Sequence, residues 1–514
     1  MPSEIELKLE VPPDGLRRLR RLRTLRNGHG KRAQEKDLVS VYFDTAKHKL
    51  RRRGMSLRVR HIGDKRIQTL KANGQWAAGL SRRDEWEKPI RRDTPDLRAA
   101  NRTALAPLLS KKLAHALKPV FETRVHRTVL PIDRGDSRIE LTLDQGQVRL
   151  GRKSAPISEV ELELKRGRPA DLIGVARELW DRVPARFAVR SKADRGYDLA
   201  SDRPIAAVGA RTIALQPDIT AAEAFRIVAL ACTHHVAANE PAVSAHDPEG
   251  VHQMRVGLRR LRAAIAVFSD LLDDAQTAAI KAELKWLTNA LGPARDIDVY
   301  VTGNVKPLQH SLPPQRGLEK LQHELEARRD DAFERAKKAV ESARYRALML
   351  DLLGWIIDGE WCNTGDELVR ARRARRAADF AREELARRVR KVSKRANKLA
   401  KLDPRRRHKL RIAIKKLRYA IDFFASLFAG RKAEKRLRRF VRELKALQNC
   451  LGALNDIAVH RRLAGKFVGP SGRRRERAFA IGVVSGREQS RVGPLQDAAV
   501  AAAGGFAAAR PFWS

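Results

Sequence analysis

The sequence predicts an α+β chain in two parts: an N-terminal barrel of eight antiparallel strands, then an all-α region built from two related helical bundles. Three observations predict it. Up to about Arg203, short alternating runs are separated by Gly, Asp or Asn turns, as half-buried strands are. From Thr220 onward Ala, Leu, Arg and Glu recur with the 3.6-residue period of helices. That second part also repeats itself, and the whole chain, at 514 residues, is long enough for two or more full cores.

The first element, Glu4-Ile5-Glu6-Leu7-Lys8, is a strand whose period of two puts Glu4, Glu6 and Lys8 on one face and Ile5 and Leu7 on the other. A barrel lined by such residues can hold divalent metal on its carboxylates and a polyanion on its cations. Leu16 to Leu25 is a basic amphipathic helix, with Leu16, Leu19 and Leu22 at helical spacing. Strands follow at Leu38 to Phe43, Ser56 to His61, Arg66 to Lys71, Arg83 to Lys88, Phe121 to Pro131, Arg138 to Leu143 and Ser158 to Lys165, and a second helix at Asp171 to Arg182. The first domain therefore spans 1–203. Pro204 to Pro217, bounded by prolines and holding Gly209, reads as a linker over 204–217.

The helical domain spans 218–490, in halves of about 218–357 and 367–490. His252 to Ile265 matches His408 to Ile421, and Glu283 to Ile297 matches Glu443 to Ile457. Two bundles in tandem explain both pairs. Residues 491–514 are expected as a C-terminal tail, because Ala498 to Ala509 is small and broken by glycine.

With 106 Lys and Arg against 61 Asp and Glu, the chain carries a formal +45, so a polyanionic partner is expected. Nucleic acid, an anionic membrane and inorganic polyphosphate all qualify. Aromatics are only 5% of residues and no recognition motif is visible, which disfavours nucleic acid. Cys232, Cys362 and Cys450 are too dispersed for a disulfide framework or a zinc site, and a reducing cytoplasm fits them. The chain starts on a charged strand, and no apolar run approaches the roughly 18 residues of a spanning helix, so neither a secretory leader nor membrane insertion is expected.

Alternation keeps placing charge on one strand face: Arg58 and Arg60 flank Val59, Thr69 and Lys71 flank Leu70, Glu85 and Glu87 flank Trp86, and Glu159, Glu161 and Glu163 alternate with Val160 and Leu162. Were the apolar residues all inside, the barrel would have an ordinary core and a charged exterior. Grouping favours the other arrangement, since carboxylates cluster on some strands and cations on others, as a lumen holding metal and phosphate together requires.

The opening Glu4-x-Glu6-x-Lys8 is similar to the signature of the CYTH family of triphosphate tunnel metalloenzymes. Tyr42 to Thr45, Leu57 to Arg60, Thr69 to Lys71, Glu85 to Glu87, Leu143 to Gly146, Glu159 to Glu163 and Ser191 to Gly196 resemble that family's further segments, in order, over residues 1 to about 200. The resemblance implies an eight-stranded antiparallel tunnel that hydrolyses or cyclises triphosphates with Mg²⁺ or Mn²⁺. It implies Glu4, Glu6 and Lys8 as catalytic residues. Metal would be held by Glu4, Glu6, Asp144, Glu161 and Glu163, with Glu85, Glu87 and Glu159 completing the acidic side. Arg58, Arg60, Lys71, Arg127 and Lys192 would grip phosphoryl oxygens. Arg124 and Arg127 have opposite parity, so one of them enters the tunnel; the family's spacing favours Arg127.

In the helical half, Met254, Leu258, Leu261, Ile265 and Phe268 make a buried stripe, mirrored by Leu410, Ile414, Leu417, Ile421 and Phe424. A basic stripe accompanies each: His252, Arg255, Arg259 and Arg262, then His408, Arg411, Lys415 and Arg418. One charged helix face is usually just solvated, but two in register suggest a shared anion-binding surface. These features resemble the CHAD domain, from about Thr220 to about Ser485, which implies inorganic polyphosphate as partner and polyphosphate granules as a location. The expectation for the whole chain is a cytoplasmic, metal-dependent inorganic triphosphatase, cleaving tripolyphosphate to pyrophosphate and phosphate beside a polyphosphate-binding domain. The alternative is a non-catalytic polyphosphate-binding or granule-associated protein.

Overall fold

The computed structural model describes residues 4–21, 33–77, 80–201, 206–272, 274–307, 316–363, 366–467, 482–483 and 485–513, without the side chains of 4, 73–77, 80–83, 316–318 and 462–467. They form two compact units. One comprises 1–206 with 233–238 and 346–359; the other comprises 207–232, 239–345 and 360–514.

In the first unit, β1 (Glu4–Glu10), β2 (Gln34–Asp44), β3 (Ser56–Ile62), β4 (Lys65–Ala77), β5 (Leu80–Pro89), β6 (Lys118–Arg134), β7 (Ser137–Leu150), β8 (Lys153–Arg166) and the short β9 (Arg186–Phe187) make one sheet in the order β5-β4-β3-β2-β6-β7-β8-β1-β9. All of its pairings are antiparallel, and β1 also pairs with β5, so the eight long strands close into a barrel. The short β9 joins the β5 edge of β1 through Leu9 and Glu10.

Register fixes which parity faces inward. Glu6 stands opposite Glu163 and Lys8 opposite Glu161, Asp144 lies between Arg127 and Glu159, and Lys71 opposite Glu85. The apolar parity faces out. Leu7, Leu9, Ile139, Leu141, Leu143, Val160 and Leu162 are fully buried there, on the side covered by α1 (Pro13–Arg21) and α3 (Pro169–Arg182). Across the barrel, Phe43, Leu57, Val59 and Leu70 pack with Leu50, Met55, Leu105, Leu108 and Leu113, the last on α2 (Lys111–Ala116). The hydrophobic core is thus a coat around the barrel, which leaves the lumen free to be polar.

A last helix, α4 (Lys192–Ser201), fills one end of the lumen. Its Ala193 and Tyr197 pack on inward-facing Leu38, Tyr42, Phe121, Val125, Val148 and Ile157. The helix is seated so closely that a Cβ on Gly196 would lie 2.1 Å from the Phe121 ring.

The second unit is helical. It includes α5 (Ala221–Ala237, whose last residues belong to the first unit), α6 (Pro248–Val267), α7 (Ala275–Ala290), α8 (Gly292–Tyr300), α9 (Arg316–Val340), α10 (Ala377–Ala396), α11 (Pro404–Phe424), α12 (Arg431–Phe467) and α13 (Val492–Ala507). The repeat is visible in local detail. Helix α6 starts on an Asp247 cap followed by Pro248, and α11 on an Asp403 cap followed by Pro404. The apolar stripes of both helices are buried, α6 and α11 pack together, and Phe268 meets its repeat partner Phe424 with ring centroids 5.6 Å apart.

Two stretches differ from expectation. Residues 206–217 carry no regular structure, yet Ile213 and Leu215 are buried and Leu215 N donates to Ser426 Oγ at 2.8 Å, so this part of the expected linker is docked. Residues 492–507, expected as tail, are helical and pack on α12. The anchor lies beyond the Ala run: Phe506 and Trp513 sit on Phe440 at 5.3 and 5.5 Å between rings. No helix among the described residues is long and apolar enough to cross a membrane.

Candidate active site

The barrel encloses a cavity of about 570 Å³ lined by Glu6, Lys8, Arg58, Arg60, Lys71, Glu85, Glu87, Arg127, Glu161, Glu163 and Lys192. These eleven come from seven elements. Alternation puts each on the inner face of its strand, except Lys192, which reaches in from the first turn of α4. Asp144 lies behind the wall, fully buried beneath Arg127 and Lys192. The Glu4 side chain falls outside the described residues.

Arg127 is the arginine that enters. Its Nε and Nη2 donate to Asp144 at 2.8 and 2.6 Å, and Nη2 also reaches Glu161 at 2.8 Å. Arg124 lies outside, half-exposed and paired with Glu122 at 2.9 Å.

On the β1, β7 and β8 side, carboxylates and cations interlock. Lys8 Nζ is 2.9 Å from Glu6 and 2.8 Å from Glu161. Lys192 Nζ lies 2.8, 2.6 and 2.7 Å from Asp144, Glu159 and Glu161. Burial would raise the Glu161 carboxyl, but Lys192, Lys8 and Arg127 outweigh it and hold it well below the usual carboxylate range. Asp144 is held down in the same way, against burial, by Lys192 and Arg127. Burial likewise opposes the charged forms of Lys8 and Lys192, yet their carboxylates raise both above an ordinary lysine. Asp144, Glu159 and Glu161 also present carboxylate oxygens within 4.8 Å of one another, a group able to hold a metal ion.

The opposite wall is looser. Lys71 pairs with Glu85 at 2.6 Å, Arg58 stands 3.7 Å from the same carboxylate, and Thr69 donates to Glu87 at 2.9 Å. Arg60 donates to Ser40 Oγ at 3.3 Å. Burial, then Arg58 and Arg127, pushes its guanidinium down to about 10. Tyr42, Ser56, Thr69, Thr142 and Ser191 also line the cavity, and sequence reading did not pick them out as site residues. Strand parity was the available signal, since Tyr42 lies opposite Arg58, and Thr142 opposite Glu161.

In the second unit, the basic stripes meet where α6 and α11 pack. Arg255 stands 3.8 Å from Asp296, and its repeat equivalent Arg411 stands 3.7 Å from Asp456. His408 Nδ1 is 2.7 Å from Asn455 Oδ1, while burial and then Arg295 push the His252 imidazole below its ordinary value. Arg259 acts across the repeat: burial, then Arg411 and Arg259, pushes Lys415 down to about 7. Arg418 lies beside Lys415 and over the Tyr419 ring at 5.1 Å. Arg262 is exposed and acts on Lys416, which itself lines a second basic groove with Arg388, Lys391, Arg395 and Lys409.

Residues 2–197 match the CYTH domain and residues 227–465 match the CHAD domain. The chain is a CYTH domain followed by a CHAD domain. It is 34% identical over 206 residues to the inorganic triphosphatase of Haemophilus influenzae, across 39% of this chain and 56% of that protein, so the match spans just over half of that relative. An uncharacterized protein of Mycobacterium tuberculosis is 27% identical over 378 residues, covering 67% of this chain and 69% of the other. The crystal structure of the CHAD domain from the plant Ricinus communis is similar to this chain with a TM-score of 0.51 and 30% identity, covering 59% of this chain and 98% of that one. The cavity therefore belongs to the CYTH domain, and the paired basic stripes belong to the CHAD domain.

Proposed function

We propose that the CYTH domain hydrolyses inorganic triphosphate with a divalent cation, and that the CHAD domain binds inorganic polyphosphate through His252, Arg255, Arg259, Arg262, His408, Arg411, Lys415 and Arg418. The observation that carries this reading is the charge balance of the cavity. Lys8, Arg58, Arg60, Lys71, Arg127, Lys165 and Lys192 are matched, among the described residues, by Glu6, Glu85, Glu87, Glu161 and Glu163 on the wall and by Asp144 and Glu159 beneath it. A chain of +45 thus keeps its barrel cavity near neutrality. A triphosphate entering alone would bring several uncompensated negative charges into a partly desolvated space. Cations entering with it would restore the balance.

The donor set fits such a cation. Carboxylate oxygens are hard ligands of the kind Mg²⁺ and Mn²⁺ prefer, and Glu6, Glu161, Glu163 and Asp144 would hold it, with Glu4 in the same strand and Glu159, Glu85 and Glu87 nearby. When bound, the ion neutralises phosphate oxygens and lowers the pKa of an attacking water. The chain's own contribution is positioning and charge. Arg58, Arg60 and Lys71 face the acidic wall and receive phosphoryl oxygens, with the Arg forks suited to two oxygens at once. Lys8, Arg127 and Lys192, held in place by their carboxylates, can exchange part of that pairing for phosphate oxygens and so stabilise charge as it builds.

Substrate choice follows from what lines the wall. Tyr42 is the aromatic there among the described residues, which supplies no platform for a base and favours tripolyphosphate over ATP. The identity of the Haemophilus influenzae relative as an inorganic triphosphatase supports the same reading. The three free cysteines suit a reducing cytoplasm, at polyphosphate granules where these form.

The test is phosphate release from tripolyphosphate, pyrophosphate, ATP and long-chain polyphosphate, each with Mg²⁺, Mn²⁺ or chelator. Tripolyphosphate should be cleaved fastest and only with metal. Glu6→Ala should abolish cleavage while leaving long-chain polyphosphate binding intact. A wild type that binds polyphosphate but never hydrolyses tripolyphosphate would instead establish the non-catalytic, granule-associated alternative.

A further inference from the structure

Among the described residues, Lys192 is the one wall cation that comes from a helix rather than a strand, so its place depends on how α4 is held. Besides the ion pairs of Lys192, Arg195 and Asp198, two uncharged-donor contacts fasten it. At its start, Ser191 N donates to Asp194 Oδ2 at 3.0 Å and Asp194 N donates to Ser191 Oγ at 3.1 Å, a reciprocal cap. Five residues on, roughly 7.5 Å along the axis, the Tyr197 hydroxyl donates to Asp44 Oδ2 at 2.8 Å.

Asp44 is fully buried at the end of β2. Its carboxylate winds the following turn around itself, accepting from Thr45 N at 2.7 Å, Leu50 N at 2.9 Å and Arg51 N at 3.0 Å. That turn needs His48 at φ 49° and Gly54 at φ 70°, and it delivers Arg51 over the Tyr197 ring at 4.6 Å and onto Asp198 at 3.1 Å. Burial, then Asp44, raises the Tyr197 hydroxyl, which keeps it a donor throughout the working pH range.

We propose that Asp44 and Tyr197 form a buried latch, clamping α4 through the β2–β3 turn, and that they are positioning residues for Lys192. The inference rests on the tunnel reading above for its effect on turnover, but not for the latch itself. Asp44 keeps three backbone donors without Tyr197, so loss of the hydroxyl alone leaves the turn wound. Loosening then falls on α4, whose whole body can shift on its seat and draw the Lys192 ammonium off oxygens now 2.6 to 2.8 Å away.

Tyr197→Phe in the full-length protein isolates the link, because the ring and its packing on Phe121 remain. Two readouts test it. In ligand-free protein, amide hydrogen exchange over residues 192–201 should rise at least about tenfold relative to the rest of the barrel, and unchanged exchange there overturns the latch whatever the protein catalyses. With tripolyphosphate and Mg²⁺, Tyr197→Phe should lower kcat/KM by about tenfold or more and add nothing further in a Lys192→Met background. Losses that multiply in the double variant would mean that Tyr197 acts independently of Lys192, which overturns the positioning role. Asp44→Asn, which puts an amide NH2 against donors of the turn as well, should cost more than Tyr197→Phe. A wild type without hydrolysis or tripolyphosphate binding would refute the tunnel reading and leave the exchange result to decide the latch.

Discussion

Two cations of the same cavity should respond to removal with opposite signs of stability. Arg60 is buried and crowded by Arg58 and Arg127, and its guanidinium is pushed down from the ordinary arginine value to about 10. A tenfold change in acidity is about 1.4 kcal/mol, so keeping Arg60 charged in the empty tunnel costs roughly 3 kcal/mol. Arg60→Met removes that cost and loses the bond to Ser40, worth about 1 kcal/mol, together with some packing. A net gain of about 1–2 kcal/mol remains, which raises Tm by roughly 2–8 °C for a domain of this size. The same change deletes charge-assisted bonds to phosphate worth about 1.5–3 kcal/mol, so KM for tripolyphosphate should rise roughly 10- to 150-fold. Lys192→Met is the control. It strips the ammonium from three carboxylates and should destabilise by about 3–5 kcal/mol. Thermal denaturation and steady-state phosphate release measure both. If Arg60→Met lowers Tm and leaves KM unchanged, Arg60 is a structural cation and the reasoning about an uncompensated phosphate anchor is wrong.

Further outcomes follow from the same geometry. Because the folded pKa values of Glu161 and Asp144 lie below their unfolded range, their stabilisation is complete above about pH 5 and is lost as pH falls through the folded values; Tm curves of Glu161→Gln and wild type should therefore converge in acid and separate above that point. Lys415, depressed to about 7, is largely neutral at pH 8, so binding of long-chain polyphosphate there should take up about one proton, read by titration calorimetry in buffers of different ionisation enthalpy; Lys415→Arg should eliminate the uptake, and an unchanged value would rule out this lysine as its source. Arg127→Ala should weaken both stability and tripolyphosphate turnover, whereas Arg124→Ala, on an exposed pair, should alter stability by less than about 0.5 kcal/mol and leave turnover at the wild-type level.

Much of the site was legible because a strand has a period of two. Once Glu6 and Lys8 share a face, so do Arg58 and Arg60, or Glu161 and Glu163, and grouping by strand points to a lumen with an acidic wall and a basic one. The helical half was legible because it states its pattern twice, down to the Asp-Pro caps and the Phe268 and Phe424 pair. Less was readable where a residue's role depends on something distant in the chain. Tyr42 reads as an ordinary strand aromatic until β3 brings Arg58 opposite it. The Ala-rich stretch before the C-terminus reads as tail until Phe506 and Trp513 find Phe440.

The sequence by itself determined the alternation of charge and hydrocarbon, the doubled helical motif, the excess of cations and the family to which each half belongs. Grouping of charge by strand favoured a charged lumen, but period two by itself is equally consistent with a greasy bore and a charged exterior. Tertiary structure decided the matter. Helices and the 97–117 segment cover the outer face and bury its leucines and valines, so the hydrophobic free energy is gained outside the barrel and the lumen can keep its ions. Only the fold could bring Lys192 from the last helix of the domain to carboxylates on β7 and β8, since that meeting depends on where α4 docks and on no local preference of the chain.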